Sequence, residues 1–89
     1  MGIRCLSREA ALTALRLTEE LHTGARELPP EIVEQKKRIE AAKRNAALFM
    51  VRVGAVDEGM INYAVGLMLE LDRLYAQWAE SETPSLSLH

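Results

Sequence analysis

Residues 32–53 read IVEQKKRIEAAKRNAALFMVRV, and residues 60–78 read MINYAVGLMLELDRLYAQW. In the first stretch Ile32, Gln35, Ile39, Ala42, Ala46, Phe49 and Val53 recur at alternating steps of three and four. In the second, Met60, Ala64, Leu67, Leu71, Leu74 and Trp78 do the same. That spacing holds one apolar stripe on one side of an α-helix over several turns. The chain is therefore built to pack helix on helix. An all-α fold is expected, with these two stretches as an antiparallel helical hairpin, an N-terminal helix beside it, and a dimeric helical bundle as the assembled form.

The flanking residues supply starts and stops. Ser7 suits the N-cap of a first helix over residues 7–23, ended by Gly24. Its broad apolar side is Ala10, Ala11, Ala14, Leu15, Leu17, Leu21 and His22, opposite Arg8, Glu9, Arg16, Glu19 and Glu20. Alanine buries little area, so this helix is expected to hold less tightly than the others. Pro29-Pro30 opens a second helix over 30–53, because proline has no N–H to leave unpaired in a first turn. Glu31 and Glu34 there suit the positive end of the helix dipole. Gly54 stops this helix, residues 54–59 form a turn, and Asp57 caps a third helix over 57–80. Residues 83–89 read as a flexible tail. The helices make a single domain over 1–82.

Two zones carry more apolar surface than a hairpin can bury. Residues 46–51 are apolar all round, and 60–69 add a second row, Ile61, Val65 and Met68, continued by Tyr75 and widened by Tyr63 and Leu69. One neighbouring helix covers less than that. Both zones fall at the turn end of the hairpin. The first helix is expected to cover part of them, and the excess argues for a partner, either a second copy or another protein. The residues expected to bind it are Leu48, Met50, Val51, Met60, Ile61, Val65, Met68, Asp72 and Tyr75. Asp72 projects beside Ile61, Val65 and Met68; it either marks the edge of this face or pairs with a cation of another chain, and the edge is the simpler reading. Phe49 and Trp78 sit on seams and are read as core.

Composition excludes several classes. Net charge is −2 over 89 residues, with both signs intermixed, which argues against a nucleic-acid or anionic-membrane binder. Lys36, Lys37, Arg38, Lys43 and Arg44 spread around the helix axis with Glu40 among them, as a solvated face does; a phosphate-tracking face would exclude the acid. A helix-turn-helix around Gly54 would aim Asp57 and Glu58 at phosphates, which repels them. Two histidines, His22 and His89, and one cysteine, Cys5, offer no metal-ligand spacing and no nucleophile–base pair. No cofactor, metal or catalytic residue is expected. One cysteine allows no intrachain disulfide, and Cys5 reads as a small apolar residue near a terminus. The first six residues lack an apolar core and a cleavage site, so no signal peptide is expected. No stretch approaches the roughly 20 apolar residues a membrane helix needs. The expected location is the cytoplasm.

A three-helix enzyme of this size occurs in the chorismate mutase family, but that pocket needs several inward Arg and Lys side chains, and the seams here carry only Gln35 as a polar group. Leu28-Pro-Pro30 opening a long helix of mixed charge, followed by a helix such as Tyr63–Tyr75, resembles the small helical bacterial anti-activators of quorum-sensing receptors over about half the chain. The resemblance implies a non-enzymatic regulator that binds and inhibits another protein by covering an apolar surface with its helices. A structural homo-oligomerisation module, a secretion co-chaperone and an immunity protein fit the same composition. A homodimer through the seams is expected alongside.

Overall fold

A computed structural model describes residues 6–83 and contains three helices and, among the described residues, no strand: α1 (Arg8–Thr23), α2 (Pro30–Val53) and α3 (Glu58–Glu82). The fold is all-α. Cys5, His89 and nearly all of the expected 83–89 tail lie outside the described residues.

Each boundary has a local cause. The Ser7 hydroxyl accepts from the Ala10 N–H at 3.1 Å, and the Asp57 carboxylate accepts from the Met60 N–H at 3.1 Å; both satisfy a first-turn donor that has no helical partner. Pro30 stands at the first position of α2. At the other ends Gly24 and Gly54 adopt φ of 84° and 75°, a left-handed conformation that disfavours a Cβ. Gly24 N–H reaches the Leu21 carbonyl and Ala25 N–H the Glu20 carbonyl, the paired bonds of a Schellman ending. Gly54 N–H reaches the Met50 carbonyl at 2.8 Å, the simpler single-bond ending.

The described chain divides into two compact units, one comprising the residues up to Leu28 with those from Arg73 on, the other Pro29–Asp72. In the second unit α2 and the first part of α3 form an antiparallel hairpin joined by the short turn after Gly54. Its buried residues are Ile32, Gln35, Ile39 and Ala42 of α2 and Ala64 of α3. Gln35 is only 3% exposed; its side-chain amide donates to the Leu67 carbonyl at 2.9 Å, and its carbonyl accepts from Arg38 at 3.3 Å. The one polar seam residue is thus satisfied in place, as burial of an amide requires. Towards the turn the α2 seam opens: Ala46 and Phe49 are half-buried and Val53 is exposed.

In the first unit α1 and the C-terminal stretch of α3 bury Ala10, Thr13, Leu17, Ala76 and Ala79. The stripe runs Ala10–Thr13–Leu17, which corrects the broader side expected for α1. Ala11 and Leu15 are exposed and His22 is exposed too, while Thr13 is buried in their stead. Thr13 can enter the core because its hydroxyl shares a hydrogen bond with that of Thr83 at 2.9 Å. Thr83 also donates to the Ala79 carbonyl at 2.7 Å. Arg26, in the loop after α1, bonds the Glu20 carboxylate at 2.7 Å and the Glu82 carboxylate at 3.2 Å. It thereby places a cation beside the acid that ends α3, where the helix dipole opposes negative charge.

Candidate functional site

Exposed apolar side chains concentrate at the turn end of the hairpin. Leu48, Met50, Val51, Val53 and Val56 on the α2 side and Ile61, Tyr63, Val65, Met68 and Leu69 on α3 are all exposed, Val51 to 77%. An apolar residue alone at a surface needs no account, but Met50, Val56, Ile61, Val65 and Met68 lie together.

Part of this surface is concave. A groove of about 280 Å³ is lined by Ala46, Ala47 and Met50 of α2, Val56 of the turn, and Ile61, Ala64, Val65 and Met68 of α3. Lys43 and Asp57 are the charged residues lining it. Its shape follows from residue size. Alanines at 46, 47 and 64 leave a low floor between the helices, while Met50, Ile61, Val65 and Met68 rise on either side.

Of the nine residues expected from sequence to meet a partner, Met50, Ile61, Val65 and Met68 share this groove. Leu48 and Val51 are exposed on α2 outside it. Met60 is half-buried on the α3 seam. Asp72 is exposed and does not line the groove. Tyr75 belongs to the other unit, where it is half-buried and lines a groove of about 380 Å³ with Ala14, Leu17, Thr18, Leu21, Trp78 and Ala79. Val56 escaped sequence reasoning because it lies between the glycines of a turn and belongs to no helical period. Ala47 is one residue off the α2 seam, and its small size, rather than its hydropathy, makes the groove.

Among the described residues no cluster of three His, Cys, Asp or Glu side chains could hold a metal ion. One perturbed acid is Glu20, held below its ordinary value chiefly by its hydrogen bond to Arg26; desolvation opposes this and the Arg26 charge adds to it. This is a structural pair at the end of α1. Lys43 lies 3.6 Å from Glu40 one turn back, an exposed pair that stabilises little. Among the described residues no helix is long and apolar enough to cross a membrane. Comparison with protein-family models, curated proteins and solved structures finds no match to this chain.

Proposed function

We propose that the chain is a non-enzymatic regulatory protein that binds another protein and inhibits it by occlusion, covering an apolar surface the target needs for its own assembly. The observation that carries this reading is the exposed apolar surface at the turn end of the hairpin, concave along the groove. Burying such surface contributes about 25 cal/mol per Å², before the ordering costs of association are subtracted. Methionines suit the role, since an unbranched thioether repacks against a partner of irregular shape. An anti-activator of a transcriptional regulator is the instance the sequence resemblance suggests, with the cytoplasm as its place of action.

The test uses three chains: the native protein, Ile61→Arg and Met68→Arg. A guanidinium in the groove opposes its burial unless it is paired. Neither side chain is buried by the rest of its own chain, so helicity measured by circular dichroism is expected to stay close to native. A protein retained from native cytosol by the unsubstituted chain and lost by both variants supports the proposal. Retention of the same protein by all three chains, or of none by the native one, refutes it. Loss of helicity in the variants would mean that these side chains are core.

A further inference from the structure

We infer that in the free protein the α2–α3 groove is covered by a second copy of this chain, turned end for end, with Lys43 of each copy meeting Asp57 of the other. Two features of the groove carry this, its extent and the placement of its charges.

Extent comes first. Met50, Val56, Ile61, Val65 and Met68 are each 38–60% exposed. With the alanine floor they make one apolar surface running along the groove, which a single exposed side chain would not. A second copy supplies a matching apolar face of equal size.

The charges choose the orientation. Asp57 caps α3 at the turn. Lys43 lies ten residues before Val53 at the end of α2, about 15 Å down the helix. The charged lining residues therefore stand at opposite ends of the groove with opposite signs, and the apolar residues lie between them. Two identical faces meet through a two-fold axis in the plane of contact. An axis along the groove would set Lys43 on Lys43 and Asp57 on Asp57. An axis across it sets Lys43 on Asp57 at both ends. Like charges opposed across an interface are costly and opposite ones fix register, so the second arrangement wins. The bond from Met60 uses one oxygen of Asp57, and the exposed contact of Lys43 with Glu40 is easily exchanged.

A target that needs the same side chains displaces the second copy, so self-association and occlusion of a target compete for the groove. The inference about the free chain stands without any target, and its test uses none. The native chain, Lys43→Glu, Asp57→Asn, the double variant and Ile61→Arg are compared by light scattering across a dilution series, with circular dichroism confirming helicity. An asparagine in place of Asp57 still caps α3. The native chain is expected to be dimeric and Ile61→Arg monomeric. Asp57→Asn alone weakens the dimer, by roughly threefold to tenfold for two rim pairs. In the Lys43→Glu background, where the introduced glutamate faces Asp57 of the other copy, the same substitution strengthens it. That reversal of sign requires position 43 of one copy to meet position 57 of the other. A native chain monomeric at every concentration overturns the inference. So does an Asp57→Asn effect of the same sign in both backgrounds, or an Ile61→Arg chain that remains helical and dimeric.

Discussion

Replacing Gln35 separates the work of its hydrogen bond from the work of its volume. The side chain is 3% exposed and donates to the Leu67 carbonyl at 2.9 Å. In Gln35→Ala that bond is lost, about 1 kcal/mol. One buried methylene is lost with it, about 0.8 kcal/mol, and the space left between α2 and α3 adds a further fraction. The sum is roughly 2–3 kcal/mol. Gln35→Leu differs in a specific way. Leucine restores most of the volume, and Leu67 lies within α3, so its carbonyl keeps the ordinary helical bond and is not orphaned. Arg38 loses an acceptor but is exposed and turns to water. The leucine variant is therefore expected within about 1 kcal/mol of native. Urea unfolding at one fixed protein concentration, followed by helical ellipticity, reads both variants. With a slope near 1 kcal/mol per molar for so small a protein, Gln35→Ala should move the midpoint down by about 2–3 M. A midpoint unchanged in Gln35→Ala would show that the side chain is not buried in the hairpin. A loss in Gln35→Leu as large as in Gln35→Ala would show that the amide bond, and not packing, holds the seam.

Two further substitutions follow from the same structure. Gly66 lies exposed within α3, and a Cβ built there meets nothing within 4 Å, so Gly66→Ala should stabilise by about 1 kcal/mol and raise the melting temperature by about 4–8 °C. Glu20 has its pKa depressed below 4.5 by Arg26, so its contribution to stability is present above that value and is lost as pH falls through the lower folded value. Arg26→Gln should therefore lower the melting temperature at neutral pH, with the gap to native closing as pH falls below 4.5; a gap that persists undiminished in acid would mean that Arg26 acts through packing.

The helix ends that carry a capping residue were legible because their cause is local; the end of α3, expected at residue 80, lies at Glu82. Ser7 and Asp57 need only the N–H three residues on, and Gly24 and Gly54 need only their own lack of a Cβ. The heptad spacing likewise announced that α2 and α3 pair through Ile32, Gln35, Ile39 and Ala64, since a period of three and four puts those residues on one side whatever surrounds them.

How far each stripe is used was not legible. The period makes Ala42 and Val53 equivalent, yet Ala42 is buried and Val53 exposed. A two-helix contact covers a seam from one side only, and the remaining cover depends on what else lies nearby. The same holds for α1, where a wide run of alanine and leucine allowed several inward faces. The chain buries the one containing Thr13, whose hydroxyl finds Thr83 seventy residues later. The groove is legible in part. Met50, Ile61, Val65 and Met68 stand out by hydropathy. Their concavity, and the placement of Lys43 and Asp57 at its two ends, arise only when the turn folds α3 back along α2. Sequence alone determined the helices and their pairing, because helical periodicity and capping act over a few residues. Tertiary structure decided which apolar surface stays open, because burial is a property of neighbours that the chain brings together from afar.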